Sequence, residues 1–289
     1  VIPFRSRRVG LQPRAMTLRE QRRALRTAIA AARAAGKLMR QNLKRAKNIN
    51  EATQHDIKLE LDVRCQKLIE RTLRRAFPGV AILGEEGVLG DPHADARWVV
   101  DPIDGTVNFT YGIPHACVSI ALQVRDAQSK FPGDPLRGYR TLVGVVYDPF
   151  LDEMWTAVRG EKAKLNGQPI SVSRRTRLDE AIVAMGFAKH TQTLALMLPV
   201  FNRLVHRVRK VRLLGAAALS MTWTAAGRLD AYIENGVRLW DVAAGGLIVE
   251  CAGGEFWWRP VAGDYAVEIC VNNGKLRPQL QAESAKPRA

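Results

Sequence analysis

Asp101 and Asp104 stand three residues apart at the end of a short apolar segment, and this spacing restricts the chain more than any other feature. Residues 97–101 predict a strand, so a rigid element would deliver the Asp101 carboxylate. Pro102 fixes the chain direction, and we expect Asp104 to lie one turn further on the same concave side. Two carboxylates held together repel each other unless a cation lies between them. The pattern therefore predicts a cation site at the end of a strand.

Gly105 and Thr106 complete the motif Asp-Pro-Ile-Asp-Gly-Thr. A glycine lets backbone N–H groups approach an anion closely, and the threonine hydroxyl can pass on a proton. Asp-Pro and Asp-Gly pairs are also common turn formers, so the motif read alone is equally compatible with an ordinary turn.

Three further acids stand where predicted elements begin or end. Glu85 follows a glycine after the predicted strand 80–83. Asp241 follows Trp240 at the start of a predicted helix, and Asp56 lies in a polar loop. Each alone is typical of a solvated loop or a helix N-cap, but the set predicts a shared site of oxygen ligands, which suits magnesium or manganese rather than zinc. Two such ions about 4 Å apart clamp the attacking and leaving oxygens of an in-line displacement at phosphorus.

The composition is that of an ordinary globular protein, with 289 residues of which 47% are hydrophobic and 25% charged. This length allows one large domain or two smaller ones. No apolar run approaches the ~18 residues of a transmembrane helix, and we expect neither a signal peptide nor a membrane partner. The four cysteines form no Cys-X-X-Cys pair and indicate free thiols in a reducing cytoplasm.

The net charge of +16 is concentrated in the first part of the chain. Residues 1–50 contain 14 Lys and Arg against a single acid, Glu20, whereas the rest of the chain is close to charge balance. A basic segment of this kind is a feature of nucleic-acid-binding proteins. Because these arginines fall largely on a predicted amphipathic helix, we favour a solvated helix face over a nucleic-acid surface.

Apolar residues at helical spacing predict a first helix over residues 17–43, opened by a capping box between Thr17 and Glu20. We expect residues 1–16 to be a disordered basic arm and residues 44–56 to be irregular. The further predicted helices cover residues 62–77, 191–207, 215–226 and a segment that opens at Asp241. The predicted strands cover residues 80–83, 97–101, 115–125, 141–147, 182–185, 210–214 and 229–233, with a hairpin over 152–170 and a frayed tail after Lys275.

The acidic segments resemble those of the inositol monophosphatase family, within the wider superfamily of magnesium-dependent, lithium-sensitive phosphatases that includes fructose-1,6-bisphosphatase. The resemblance covers about residues 17–275, and the strings DPIDGTVNF and WDVAAG are highly specific to it. The matching strings are GEE at 84–86, WVVDPIDGTVNF at 98–109, GVVYDP at 144–149, LNG at 165–167, LWDVAAGGLIVECAGG at 239–254 and VNNG at 271–274.

The resemblance implies a ligand set for two to three magnesium ions, with manganese as the alternative. Glu85, Asp101 and the backbone carbonyl of Ile103 would bind the first ion. Asp101, Asp104 and Asp241 would bind the second. Glu85 would also hold a weaker third ion through water.

The resemblance also implies residues that act on the phosphate. Thr106, hydrogen-bonded to Asp56, would orient and help deprotonate the attacking water. The N–H groups of Gly105 and Thr106 would hold the phosphate. The family usually reads D-x-V-T-x-x-D around the water-activating aspartate, whereas residues 56–62 here keep only the two acids at that spacing.

The alcohol half of the substrate would meet a second set of residues. Asp104 and Glu234 would contact the substrate, the latter by receiving a hydroxyl, and Gly215 and Ala217 would line the sugar or inositol side. A helix start often reads Gly-Ser-Ala or Gly-Thr-Ala in this family, and here Ala216 takes the middle position, so a hydroxyl near the substrate is lost.

The fold that the resemblance implies is of the α/β class, a layered αβαβα sandwich of mixed and antiparallel sheets. Residues 17–150 would form an N-terminal α+β sub-domain with GEE and DPIDGT. Residues 151–275 would form a C-terminal α/β sub-domain with the Trp-Asp pair, leaving 276–289 as a tail. The metal site would lie at their junction. Family members are commonly homodimers, and we expect the same here.

The implied activity is the hydrolysis of myo-inositol monophosphate to inositol and phosphate. One alternative keeps this chemistry and changes the substrate to fructose-1,6-bisphosphate, histidinol phosphate, NADP or a nucleotide 3′-phosphate. The other is a regulatory role with RNA or the transcription machinery through the basic N-terminus.

Overall fold

Residues 16–45, 49–52, 57–130, 134–187 and 191–285 are described by the structure, a computed structural model. Helix α1 (Leu18–Asn42) begins as predicted, because the Thr17 hydroxyl accepts from the Glu20 N–H and the Glu20 carboxylate accepts from the Thr17 N–H. It packs against helix α2 (Glu60–Ala76) through a row of buried alanines. None of the described helices is both long and apolar enough to cross a membrane.

Helix α2 begins two residues before the predicted start. The Asp62 carboxylate accepts a 2.8 Å hydrogen bond from the Leu59 N–H and so closes the first turn from within. Strands β1 (Ile49–Ala52) and β2 (Ile57–Leu59) pair antiparallel just before this helix. The expectation of irregular chain is therefore wrong for residues 49–52, since pairing with β2 makes them a strand.

A sheet of eight strands lies beneath α1 and α2. Its strands are β3 (Ala81–Gly84), β4 (Gly87–Leu89), β5 (Ala96–Asp104), β6 (Cys117–Arg125), β7 (Tyr139–Asp148), β8 (Glu153–Val158), β9 (Lys164–Leu165) and β10 (Gln168–Pro169). The spatial order is β10-β9-β8-β7-β6-β5-β3-β4, and every pair is antiparallel except β3 with β5.

The hairpin predicted within residues 152–170 forms the far edge of this sheet. Asn166 and Gly167 link β9 to β10 with positive φ angles of 48° and 84°, the conformation that an Asn-Gly hairpin turn requires. Because β8, β9 and β10 all join the large sheet, the boundary expected near residue 150 falls inside that sheet.

A second, five-stranded sheet is built from the later part of the chain. Its strands are β11 (Ile182–Met185), β12 (Lys210–Arg212), β13 (Ala231–Arg238), β14 (Glu255–Pro260) and β15 (Ala266–Asn272), in the order β12-β11-β13-β15-β14. Strand β11 runs parallel to β12 and β13, and the remaining pairs are antiparallel. Strand β13 is longer than predicted because it pairs with β15 up to Arg238.

The remaining helices are α3 (Thr106–Thr110), α4 (Thr191–Leu204), α5 (Ala217–Ala225), α6 (Leu239–Cys251) and α7 (Arg277–Ala285). Helices α5 and α6 are buried between the two sheets, and α4 and α7 cover the outer face of the small sheet. The layers therefore follow the order helix, sheet, helix, sheet, helix, which confirms the predicted αβαβα sandwich.

Helix α7 corrects the expectation of a frayed tail after Lys275. Leu276 and Leu280 are fully buried against the small sheet. The Glu283 carboxylate, also buried, accepts a 2.9 Å hydrogen bond from Arg207. These contacts hold a short polar helix that would not be stable alone.

Candidate active site

Strand β5 carries Asp101 and Asp104 to the junction of the two sheets. The strand was expected to end at Asp101, with Asp104 one turn further on, but β5 continues through Pro102 to Asp104. Its register with β6 shifts between the two aspartates, as expected because proline offers no N–H to a sheet ladder. Both carboxylates are buried at this irregularity.

Two local hydrogen bonds between side chains and the main chain fix the segment after Asp101. The Asp101 carboxylate accepts from the Ile103 N–H at 3.0 Å, and the Ile103 carbonyl accepts from the Thr106 hydroxyl at 2.8 Å. Gly105 has a φ of 91°, and a Cβ there would lie 2.9 Å from the His115 carbonyl oxygen. A side chain at this position is therefore excluded by both conformation and space.

Asp104 also caps helix α5. Its two carboxylate oxygens accept from the Ala217 and Ala218 N–H groups at 3.1 and 2.8 Å, across 113 and 114 residues of sequence. The Cys117 thiol lies 3.5 Å from the same carboxylate and donates to it. These bonds fix the Asp104 side chain and join the part of the chain that carries β5 to the part that carries α5.

Asp241 lies inside the first turn of α6. The helix was expected to open at Asp241, but it begins at Leu239, and the Asp241 carboxylate reaches back to accept from the Arg238 N–H at 2.8 Å. The Ser119 hydroxyl donates to the Trp240 carbonyl at 3.0 Å and ties this turn to β6. Asp241 is thereby directed towards the end of β5.

Glu85 completes a group of four carboxylates. Its N–H donates to the Val100 carbonyl at 3.1 Å, which places it beside β5 at the end of β3. The Asp101 carboxyl group lies near those of Glu85, Asp104 and Asp241, each of which acts on it by charge repulsion. Within the described residues, no three Asp, Glu, His or Cys side chains are placed closely enough to hold a metal ion as they stand.

Desolvation makes the ionised form of these four carboxyl groups unfavourable. Burial, followed by the repulsion of the neighbouring acids, raises the pKa of Glu85 and of Asp101 well above the ordinary range. Burial raises the pKa of Asp104 to about 6, although the α5 amides oppose the shift. Burial and then Asp104 raise the pKa of Asp241 to about 7. A divalent cation would offset this cost, and the all-oxygen donor set fits magnesium.

One open cleft collects nearly all the predicted site residues. The predicted residues on its wall are Glu85, Asp101, Ile103, Asp104, Gly105, Thr106, Gly215, Ala217, Glu234 and Asp241. Asp56, the predicted partner of Thr106, lies outside the described residues. The Thr106 hydroxyl donates to the Ile103 carbonyl at 2.8 Å.

Glu234 faces the cleft from β13. Burial raises its pKa to about 8, and the Tyr232 hydroxyl donates a hydrogen bond to its carboxylate. Gly186, just after β11, lies against the same carboxylate, since a Cβ there would be 1.7 Å from a Glu234 oxygen. Sequence reasoning missed Gly186, for which the only signal was a glycine directly after an apolar strand.

Asn108 is a second residue that sequence reasoning missed. Its side-chain amide donates to the His115 carbonyl at 2.9 Å and to the Leu214 carbonyl at 2.8 Å, so it holds the turn before α5 against the turn before β6. Gly215 packs directly on this amide with a φ of 72°. The signal was present in the string DPIDGTVNF, but only the acids and the Gly-Thr pair were interpreted.

Comparison with known proteins agrees with this arrangement. The model of the inositol monophosphatase family matches residues 20–259. The chain is 38% identical over 234 residues to "Nus factor SuhB" of Pasteurella multocida, covering 80% of this chain and 83% of that protein. It is 37% identical over 237 residues to "Inositol monophosphatase 1" of Solanum lycopersicum, covering 80% of this chain and 82% of that protein.

Solved structures show the same likeness. Extragenic suppressor protein SuhB from Bartonella henselae superposes with a TM-score of 0.81 at 30% identity, covering 92% of this chain and all of that chain. An inositol monophosphatase from Anabaena superposes with a TM-score of 0.76 at 32% identity, covering 91% of this chain and 95% of that one. The chain belongs to the inositol monophosphatase family.

Proposed function

We propose that this chain is a magnesium-dependent phosphatase that hydrolyses a small phosphate monoester, with myo-inositol monophosphate as the first substrate to test. The observation that carries the proposal is the group of four carboxylates in one cleft, two of them, Asp101 and Asp104, buried, whose mutual repulsion calls for a bound cation. Membership of the inositol monophosphatase family supports a phosphatase that acts on small phosphorylated molecules and requires metal ions.

The residues that would hold two to three magnesium ions, or manganese in their place, all lie on the cleft wall. Glu85, Asp101 and the Ile103 carbonyl form the first set, and Asp104 and Asp241 join Asp101 in the second. When bound, the ions supply positive charge to the phosphate oxygens and to the departing alkoxide.

The protein groups around them position the phosphate and the attacking water. Gly105 and Thr106 present their N–H groups where β5 turns into α3, and the left-handed Gly105 allows a close approach to an anion. The Thr106 hydroxyl orients the water and passes its proton towards Asp56. Glu234 accepts a hydrogen bond from a hydroxyl of the substrate's alcohol half.

Residues on the alcohol side leave the choice of phosphate monoester open to experiment. Gly215, Ala216 and Ala217 contribute no hydroxyl to the cleft wall, which also carries Glu234. Fructose-1,6-bisphosphate, histidinol phosphate, NADP and nucleotide 3′-phosphates therefore belong in the same screen. Phosphate release from a panel of such monoesters, with magnesium and with or without lithium, tests the proposal. A lithium-sensitive preference for inositol 1-phosphate would establish the substrate, and the absence of magnesium-dependent release from every member would refute the activity.

The substitution Asp104→Asn tests the carboxylate group directly. It should abolish turnover, because an amide supplies one neutral oxygen where the site needs an anion. Asp104 also caps α5, so circular dichroism and thermal unfolding must show that the variant is folded. Glu85→Gln, whose side chain does not cap a helix, provides a second route to the same outcome. Near-normal activity in both folded variants would contradict the assignment.

A regulatory role with nucleic acid is the second candidate function. The basic residues 1–50 favour it, as does similarity to a relative named "Nus factor SuhB". Deletion of residues 1–15, which contain four arginines, should weaken RNA binding and reduce its salt dependence. Unchanged binding in the deletion variant would remove the arm from this role.

We further propose a homodimer in the cytoplasm. Cys65, Cys117, Cys251 and Cys270 are free thiols, as is usual in a reducing compartment. Light scattering of the purified chain would test the dimer, which a mass near the 32.1 kDa of a single chain would refute.

A further inference from the structure

Helices α1 and α2 form a groove on the outer face of the molecule that the proposed phosphatase activity does not use. We define the arginine groove by its lining residues, Arg23, Arg26, Thr27, Ala30, Arg71, Thr72, Arg75 and Ala76. It shares no residue with the cleft that holds the four carboxylates. The helices lie antiparallel, since the Arg23 side chain near the start of α1 donates to the Ala76 carbonyl at the end of α2.

The charges around the groove are strongly one-sided. Helices α1 and α2 together contain twelve Lys and Arg against four acids, and the groove lining contains four arginines and no acid. Three of the four acids are engaged elsewhere, since Glu20 bonds Thr17, Asp62 closes the first turn of α2, and Glu70 accepts from Gln66. The positive potential of the groove is therefore not neutralised locally.

The arginines of the groove are exposed and available to a ligand. Within the described part of the chain, the side chains of Arg26, Arg71 and Arg75 form no ion pair, in contrast to Arg22, which binds Glu161 at 2.6 Å. Arg23 is fixed at the groove's end by the Ala76 carbonyl and by the Phe77 ring, 5.0 Å away. Each guanidinium group can bind one phosphate through two parallel hydrogen bonds. Guanidinium groups on two neighbouring helices therefore suit a ligand with several phosphates spaced along a chain.

We infer that the arginine groove binds the backbone of single-stranded RNA. The lining presents guanidinium groups from two neighbouring helices along one short track, which suits a single phosphate backbone. Thr27 and Thr72 also point to RNA: their hydroxyls donate to the carbonyls of Arg23 and Leu68 at 3.0 Å each, which leaves their oxygens as acceptors. The ribose 2′-hydroxyl is a donor that DNA lacks. The arginine-rich residues 1–15 precede α1 and extend the basic tract in sequence.

The arginine groove is a nucleic-acid surface, whereas from the sequence we favoured a solvated helix face for these arginines. The sequence showed arginines on one amphipathic helix, whereas the fold adds those of α2 from across the chain and faces them in one groove. Because the groove is separate from the carboxylate cleft, RNA binding and phosphate release are predicted to be independent properties of the chain.

Fluorescence anisotropy with a labelled, unstructured RNA of about 12 nucleotides tests the inference. The full chain is compared with Arg26→Gln/Arg71→Gln/Arg75→Gln and with a control of equal charge loss, Lys162→Gln/Arg174→Gln/Arg209→Gln, which alters exposed cations elsewhere. The groove variant should bind about tenfold more weakly or worse, and the slope of log affinity against log salt should fall by about 2 for three lost phosphate contacts. The control should bind close to the unaltered chain, and all three proteins should keep the same thermal unfolding midpoint.

Several results would overturn the inference. Equal weakening in the control variant would mean that only net charge matters. Equal or tighter binding of single-stranded DNA of the same length would remove the role of Thr27 and Thr72, and tighter binding of duplex RNA would contradict the single-strand groove. RNA binding that is unaffected by the groove substitutions in a chain lacking residues 1–15 would place the site elsewhere.

Discussion

Glu234 is the residue on which the alcohol half of the substrate depends most in this account. Above about pH 8, where the Glu234 carboxyl group is ionised, Glu234→Gln should lower kcat/KM for inositol 1-phosphate by about tenfold to hundredfold, since a hydrogen bond to a charged group contributes about 1.5–3 kcal/mol. The same variant should hydrolyse p-nitrophenyl phosphate, which has no hydroxyl to offer, at close to the original rate. Equal losses for both substrates would show that Glu234 supports the site as a whole and does not select the alcohol.

Gly186 is predicted to contribute to stability and substrate selection only by leaving room for the Glu234 side chain. Gly186→Ala would place a methyl group 1.7 Å from the present position of a Glu234 oxygen, so the carboxylate must move or the strand must shift. We expect a loss of stability of about 1–3 kcal/mol, typical of an overpacked core, together with weaker selection for polyol substrates. Gly79→Ala is the matched control, since no atom lies within 4 Å of its added Cβ. Equal unfolding midpoints for the two variants would contradict the packing argument.

The residues that sequence alone could predict are those whose chemistry is written in short motifs. Asp101 and Asp104 stand in one string and carry the same chemistry wherever that string folds, and Glu85 and Asp241 follow the same rule. Gly186 could not be predicted in this way, because its role is to leave room for a side chain 48 positions away in the chain. That contact exists only when β11 pairs with β13.

Elements defined by local signals were predicted well, and elements defined by pairing were not. Helix α1 starts where its Thr17–Glu20 capping box places it, and β11 has the expected bounds of 182–185. Strand β1 was missed because only its antiparallel partner β2 makes it a strand. The last residues of β13 likewise depend on pairing with β15. Helix α7 depends on packing against the outer face of the small sheet.

Helix α7 is predicted to be an integral part of the fold. Leu280→Ala should lower the free energy of unfolding by about 2–5 kcal/mol, because Leu280 is fully buried and its truncation leaves a cavity. Leu196→Ala in α4 is the control, since that leucine is 47% exposed and its truncation should cost little. Urea unfolding of the two variants compares them, and a Leu280 variant as stable as the Leu196 variant would restore the expectation of a frayed tail.

The whole molecule is held together across the carboxylate cleft, and this makes its metal-free stability depend on pH. The acids of the cleft have raised pKa values, about 6 for Asp104, about 7 for Asp241 and about 8 for Glu234, against about 4 in an unfolded chain. Below about pH 4 they are neutral in both states. As the pH rises through these values the unfolded chain gives up protons that the folded chain retains, so the stability of the metal-free protein should fall towards pH 8.

Urea midpoints measured from about pH 5 to pH 8 test this dependence, in EDTA and in excess magnesium. The fall with pH should be steep in EDTA and much reduced in magnesium, because the bound cation stabilises the ionised carboxylates. Asp241→Asn removes one of the titrating groups and should flatten the EDTA profile. Identical pH profiles with and without magnesium would contradict a cation site in this cleft.

The central claim, that the four carboxylates form one magnesium-dependent catalytic site, is tested most directly by phosphate release at increasing magnesium concentration. The unaltered chain and folded Asp241→Asn are compared on the best substrate of the phosphate monoester panel. The account predicts release by the unaltered chain that rises from background to saturation with magnesium, and at least a hundredfold lower saturating rate in the variant, roughly the loss of 2.7 kcal/mol of transition-state stabilisation. Release that is independent of magnesium, or equal in the two proteins, would contradict it.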